Sequence, residues 1–297
     1  MKRFGVLFSL LCLLAGLFGG CQPSFQPGAY TDDLNRSVSF NETPKRIVAY
    51  GPSITEILYS LGLEEKVVGV DSLSNYPAAA KSKQQVGDAF NPSMEKLVEL
   101  KPDLVLTVKQ QQFNKNMDDL GIKYMVIDPK DLAGTYKDIA LIGKITGVEG
   151  KSGKIIDDMK ATVARVQGQV KNAPVVKTIF LIDTTDLNNP WTAGPGSFID
   201  ELITMAGGTN VAAKASAPYV AYSIEQIIAA DPEVIILPDQ YVVSPQVLKD
   251  HPAWKKTSAV KNNRVITVNG DIISRAGPRL AQGLEAVAKI IHPELYK

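Results

Sequence analysis

The chain has 297 residues, with 32 Lys and Arg against 31 Asp and Glu for a formal net charge of +1, and 45% of its residues are hydrophobic. So even a charge balance provides no basic field to hold nucleic acid, and two cysteines, Cys12 and Cys21, are too few for a disulfide framework or a cysteine-based zinc site. The length exceeds a typical single core, so two lobes are expected.

The first 20 residues pair Lys2 and Arg3 with an apolar run ending at Phe18, followed by Gly19, Gly20 and Cys21. The run is shorter than the roughly 20 residues that span a bilayer, so residues 1–20 read as a secretory signal peptide. Cys21 behind small residues resembles a bacterial lipobox, with Phe18 and Gly19 as departures. Acylation of Cys21 is expected, plain cleavage being the alternative. Loss of residues 1–20 leaves 30 basic and 31 acidic side chains, a net of −1. Residues 21–43 carry Pro, Gly, Asn and Ser without an apolar period and read as a lipid-anchored tether.

From Arg46 onward, β-branched runs alternate with helical patterns. Strands are expected at 47–50, 67–70, 104–108 and 124–127, and helices at 53–61, 94–100 and 113–120. That alternation implies parallel strands with crossover helices. Ser53 and Glu56 have the spacing of a capping box that would open the first helix. Residues 44–149 thus form an N-terminal α/β lobe. Within residues 150–173, Ile155, Met159, Val163, Val166 and Val170 recur at helical spacing, which predicts one amphipathic connecting helix. Some 20 residues of helix reach about 30 Å, enough to pass between two small domains. A second α/β lobe, 174–297, opens with a strand at 178–182.

An internal repeat supports two similar lobes. Ser93-Met94-Glu95 followed by Pro102 and Leu104-Val105-Leu106 matches Ser223-Ile224-Glu225 followed by Pro232 and Val234-Ile235-Ile236, at a constant offset of 130. Ser53-x-x-Glu56 also echoes Ser197-x-x-Asp200. The expected fold class is α/β: two Rossmann-like lobes with mainly parallel sheets joined by a single long helix, with a ligand cleft between them.

Catalytic candidates are few. His251 and His292 each precede a proline and read as surface turn residues. Gly194-Pro195-Gly196-Ser197 lacks the spacing of a hydrolase elbow or a dinucleotide fingerprint and reads as a helix N-terminus. Aromatics, by contrast, recur at expected strand ends: Tyr50, Tyr76, Phe90, Trp191, Tyr219 and Tyr222, with Arg275 in a late loop. In open α/β sheets that edge is where ligands sit, and aromatics with polar tips suit a large planar ligand. No catalytic residue, cofactor or metal site is expected.

Six segments, RIVAYGPSITEILYSLG, SLSNYPAAAK, NPSMEKLVELKPDLVL, NPWTAGPGSFIDELITMAGG, PYVAYSIEQIIAADPEVIILP and SRAGPRLAQGLEAV, occur in this order over some 250 residues. In them the chain resembles the ABC-transporter solute-binding proteins of the cobalamin and iron-siderophore class, nearest the cobalamin-binding members. The resemblance implies an exported, non-catalytic, monomeric receptor that delivers a corrinoid to an ABC permease and ATPase complex. It also implies that Trp191 and Tyr219 line the second-lobe wall, that Arg275 approaches the ligand, and that Glu95 and Glu225 face arginines of the permease. The repeat makes these two glutamates a symmetric pair, matched to a two-fold partner. Leu73, Ala89 and Val108 stand where similar cobalamin binders tend to carry aromatics. Ferric siderophore and haem are the alternative ligands, and an envelope α/β enzyme is the rival class.

Overall fold

The computed structural model describes residues 25–88, 90–240 and 242–296. The expectations for the signal peptide, Cys21 and Ala89 lie outside these residues. In chain order the elements are β1 (Gly28–Thr31), β2 (Ser37–Phe40), β3 (Ile47–Tyr50), α1 (Pro52–Ser60), β4 (Val67–Val70), β5 (Gln84–Gln85), α2 (Met94–Glu99), β6 (Leu104–Thr107), α3 (Gln111–Asp119), β7 (Tyr124–Val126) and α4 (Leu132–Thr146). They continue with α5 (Glu149–Val170), β8 (Val176–Asp183), β9 (Trp191–Ala193), α6 (Phe198–Met205), β10 (Gly208–Asn210), β11 (Tyr219–Ala221), α7 (Ile224–Ala230), β12 (Val234–Pro238), α8 (Pro245–Asp250), α9 (Ser258–Lys261), β13 (Val265–Val268), α10 (Asp271–Ser274) and α11 (Leu280–Ile291).

The first lobe is a parallel sheet of order β5-β4-β3-β6-β7, and the second has the order β11-β9-β8-β12-β13 with β10 beside β8. Its parallel part, β10-β8-β12-β13, repeats the path β4-β3-β6-β7. The sequence repeat at offset 130 is thus a topological one, with β6 equivalent to β12 and α2 to α7. The short β9 and β11 run antiparallel and depart from the parallel pattern. β3 and β6 are buried along their whole length, as parallel strands covered on both faces must be.

Local chemistry sets the helix boundaries. Ser93, Ser197 and Ser223 each cap a helix through the side-chain oxygen, and Ser223 with Gln226 completes a capping box. The capping box expected at Ser53 and Glu56 does not form. Pro52 occupies the first turn, the N-cap is Gly51, and Glu56 is directed elsewhere.

α4 and α5 form an antiparallel pair. Gly147, at φ 75°, ends α4 in the left-handed conformation, and a β-carbon on Gly143 would lie 2.1 Å from the Ser152 hydroxyl of α5. α5 has 22 residues and packs on α4 of the first lobe and α11 of the second. One hydrophobic cluster runs from Ile54, Ile57 and Leu106 through Ile139, Ile142, Met159 and Val166 to Ile203, Leu284 and Ile291. The lobes therefore share a core. None of the helices among the described residues is long and apolar enough to cross a membrane.

Residues 25–43, expected as a tether, carry structure. β1 and β2 pair antiparallel, with Gly28 opposite Phe40. Phe40 is buried in the shared cluster, and Asp32 is buried where it accepts the Val126 amide and the Arg36 guanidinium at 2.7 Å. Burial alone would raise the Asp32 carboxyl, but the Arg36 and Val126 amides and the Arg36 guanidinium hold it below the ordinary range. Polar side chains anchor this hairpin, so no apolar period advertises it. His292, expected at the surface, is also buried, with Nδ1 3.2 Å from Glu294 and Nε2 3.4 Å from the Gly207 carbonyl.

The hairpin docks against a buried acid. Asp33 accepts the Asp128 amide and Lys137 Nζ, and behind it lies Asp138 of α4, fully buried, with neither oxygen hydrogen-bonded among the described residues. Burial first, and then the charge of Asp33, push the Asp138 pKa up to about 8, while Lys137 opposes and Asp128 adds to the rise. The folded acid is neutral at pH 7 whereas the unfolded one is ionised. The native state is therefore penalised increasingly as pH rises from 3.8 to about 8. Asp138→Asn should raise Tm by roughly 5 °C at pH 7 and hardly at all at pH 4. Calorimetry at the two pH values checks this, and equal shifts would show that Asp138 titrates as an ordinary carboxyl.

Candidate ligand-binding cleft

In the cleft between the lobes, the segments after β3 and β4 of the first lobe meet the segment after β13 of the second. At its base the lobes touch through charge. Glu56 of α1 is 2% exposed and receives Arg279 in a two-pronged contact, Nε at 2.8 Å and Nη2 at 2.6 Å, together with Arg275 Nη1 at 3.0 Å. Arg275 also reaches Asn75 at 2.9 Å and Asp271 at 2.9 Å. Gly277, between the two arginines, lies against Ser53 and Glu56, so the loop 275–279 sits directly on α1. Glu56 of the first lobe thus faces two arginines of the second across the lobe boundary, and Asp271, on the arginines' own side, adds a second acid. Beside them, buried Asp71 accepts the Gly51 and Leu73 amides and the Ser74 hydroxyl, and burial raises its pKa.

The aromatics separate into two groups. Tyr50 is 1% exposed, stacked on Phe113 with centroids 4.2 Å apart, and its hydroxyl donates to the Asp88 carbonyl. It belongs to the first-lobe core and offers the cleft no surface. Tyr222 packs back on the second-lobe core, its hydroxyl 3.4 Å from the Val211 carbonyl. Their backbone positions are at strand ends, but both rings pack inward against neighbouring elements.

The other four rings are presented outward. Tyr76 is half exposed and lies under Arg279, whose guanidinium carbon is 3.8 Å from the ring centroid. Phe90 is 89% exposed at the tip of a turn in which the Asp88 carboxylate accepts the Phe90 and Asn91 amides. Trp191 and Tyr219, 49% and 50% exposed, lie on neighbouring antiparallel strands. Trp191 pairs with Ala221 and Ala193 with Tyr219, which places the two rings diagonally on one face. Burial raises the Tyr219 pKa and Lys130, from the first lobe, opposes the rise. A cavity of about 290 Å³ opens beside Tyr219. Leu73 is exposed and Val108 is partly buried, neither supplying a ring.

Arg275 is not a free cation awaiting a ligand: both its forks are occupied. Glu56 is the residue that sequence reasoning missed, because its spacing from Ser53 imitates a cap. Pro52 was the available signal, since a proline in the first turn moves the helix start ahead of Ser53. Glu95 and Glu225 are both exposed in the first turns of α2 and α7. Among the described residues no cluster of His, Cys, Asp and Glu could hold a metal ion.

The family model described as "Periplasmic binding protein" matches residues 47–271. The chain is 31% identical to an uncharacterized ABC transporter substrate-binding lipoprotein, YvrC, of Bacillus subtilis, over 100% of both chains. It is 27% identical to a vitamin B12-binding protein of Vibrio vulnificus, covering 85% of this chain and 92% of that protein. Among solved structures, the periplasmic heme-binding protein RhuT of Roseiflexus matches with a TM-score of 0.76 and 26% identity, over 84% of this chain and 99% of that one.

Proposed function

This chain belongs to the periplasmic binding protein family and is a substrate-binding protein of an ABC transporter of the vitamin B12, iron and heme class; from that premise we propose that its ligand is a corrinoid. The observation that carries this reading is the charge-neutral floor beneath an aromatic rim. Arg275 and Arg279 are already committed to Glu56 and Asp271. An anionic ferric siderophore could recruit them only by leaving Glu56 buried and unpaired, which is costly. A flat chelate with a neutral, amide-bearing edge needs no free cation and can lie against Tyr76, Phe90, Trp191 and Tyr219.

Heme is the second reading, favoured by Tyr76, a half-exposed phenol beneath Arg279. The tagged protein purified from its own host and then titrated with cobalamin, cobinamide, hemin and a ferric siderophore separates these ligands by their visible bands. Corrinoid bands and saturable corrinoid binding are expected; a heme spectrum with no corrinoid binding would overturn the corrinoid reading.

Export and acylation at Cys21 belong to the same proposal, as does delivery to an ABC permease and ATPase in the cytoplasmic membrane. Glu95 and Glu225, equivalent by the repeat, are proposed to guide docking on that permease. Such rim charges act mainly on encounter and register, and weaken as salt rises. The double variant Glu95→Ala, Glu225→Ala should reduce uptake by cells roughly tenfold, each single variant less, while ligand affinity of the purified protein stays within about twofold. Normal uptake would reduce both residues to ordinary helix-end charges, and a parallel loss of affinity would move them into the ligand site.

A further inference from the structure

We propose that the hairpin β1-β2 is a folded, releasable length of the lipid tether, and that while it is docked the edge of the first lobe where the strands begin lies on the membrane, with the cleft opening away from it. The inference rests on acylation of Cys21. Direction comes from the course of the hairpin along β7. Its turn sits at the end of that strand, where Asp33 donates its amide to the Val126 carbonyl at 3.1 Å, and its open end returns to the start, where Lys123 Nζ donates to the Ser39 carbonyl at 2.9 Å. Phe25 marks the same edge, since a β-carbon on Gly147, at the end of α4, would lie 3.4 Å from Phe25 and 3.3 Å from Thr43. The other end of α4 is at the lobe boundary, where the Leu132 amide donates to Glu201 of α6. The 15 residues of α4 put about 22 Å between the two edges.

Four residues lead from Cys21 to Phe25, and fully extended they reach at most about 14 Å. An acylated Cys21 thus keeps the strand-start edge against the bilayer. That edge suits anionic headgroups, because each of the five strands of the lobe is entered from a basic residue: Arg46 before β3, Lys66 before β4, Lys83 before β5, Lys101 before β6 and Lys123 before β7. Of the acids beside them, Glu42 is paired with Lys45 and Asp103 accepts the Lys45 and Arg46 amides, which leaves Glu64, Glu65 and Glu99 to oppose the five. Among the described residues β1 and β2 pair with each other alone, so their departure breaks no strand pairing of the lobe. Departure also lets water reach Asp138, buried behind Asp33 with neither carboxylate oxygen hydrogen-bonded among the described residues. A free two-stranded hairpin is marginal in water, so release unfolds it. The tether then runs 25 residues, from Cys21 to Arg46, with a reach of about 85 Å. That length lets the lobe turn over and present its cleft to the membrane; the docked length does not.

The test places the acylated protein on vesicles of phosphatidylglycerol and phosphatidylethanolamine with an acceptor dye in the headgroups. A donor is attached at Glu65→Cys on the strand-start edge or at Gln112→Cys, just past β6 on the cleft edge. The Glu65 label is expected to lie nearer the bilayer by about 20 Å. Inserting some 20 Gly and Ser residues after Gln22 should erase that difference at high salt, where headgroup attraction is screened. Equal distances in the wild type, or a difference that survives the insertion, would overturn the proposal. Release is read by hydrogen exchange: amides of β1 and β2 should exchange about 100-fold faster than those of β3 and β6. Exchange at the rate of the central strands would show that the hairpin leaves only when the whole lobe unfolds. If the intact mass shows Cys21 unmodified, the acylation reading fails by itself. A hexahistidine in place of Cys21, held on nickel-chelating lipid, then carries the same distance comparison, and equal distances there would overturn the orientation.

Discussion

Replacing Glu56 with alanine is expected to lower Tm by roughly 10 °C, the largest stability loss of any single cleft substitution. Glu56 is the one acid shared by Arg275 and Arg279, and its side chain is 1% exposed beside guanidinium groups that are 11% and 14% exposed. Removing it leaves two positive charges close together at a lobe boundary with a single remaining acid, Asp271. Breaking a buried pair from one side costs about 3–5 kcal/mol, because the surviving charge loses its compensation. Arg279→Ala should cost less by itself, and combining it with Glu56→Ala should restore part of the loss. Such coupling is the signature of a direct pair. Additive losses in this cycle would show that Glu56 stabilises the fold through packing alone.

The same substitution carries a functional expectation. With Glu56 absent, the forks of Arg275 and Arg279 become available to a ligand carboxylate or catecholate. Affinity for a ferric siderophore should rise on the order of tenfold, as charge-assisted contacts replace those to Glu56. If anionic chelates bind no better than before, the neutral floor does not govern ligand choice.

The second expectation concerns the wall. Trp191→Ala and Tyr219→Ala should each weaken ligand binding about 30-fold, and the double variant by roughly 100- to 1000-fold. Their diagonal placement on one ribbon face means that each ring shields the other, so the two losses should not add in full. The chain contains two tryptophans. Trp254 is fully buried and donates through Nε1 to the Leu187 carbonyl at 3.1 Å, whereas Trp191 is half exposed. Ligand quenching of tryptophan emission should therefore arise from Trp191, and Trp191→Phe should abolish most of it. Quenching that survives this substitution, together with unchanged affinity of the alanine variants, would remove the ribbon from the ligand site.

Sequence and structure contributed differently to each part of this molecule. The β/α alternation from Arg46, the long amphipathic helix and the repeat at offset 130 were all legible. They depend on burial of one helix stripe or of whole central strands, and burial of that kind is written into residue order at fixed periods. The observed α5, and the equivalence of β4-β3-β6-β7 with β10-β8-β12-β13, follow from those patterns. Aromatic type and strand-end position marked Tyr76, Phe90, Trp191 and Tyr219, whose rings are exposed, and equally Tyr50 and Tyr222, whose rings turn inward. Residue type does not encode which way a ring points at the end of a strand; neighbouring elements decide it, as Phe113 does for Tyr50.

The remaining features were settled by contacts between residues far apart in the chain. Asp32 anchors the hairpin to Val126 of β7, His292 is enclosed beside Gly207, and Glu56 finds Arg275 and Arg279 in the opposite lobe. Sequence by itself determined that this would be a two-lobed α/β protein with aromatic residues at its strand ends, because period and residue type suffice for that. Only the tertiary structure decided that the floor of the cleft is electrically neutral, because the charge of an arginine as a ligand meets it depends on which acid has been folded against it.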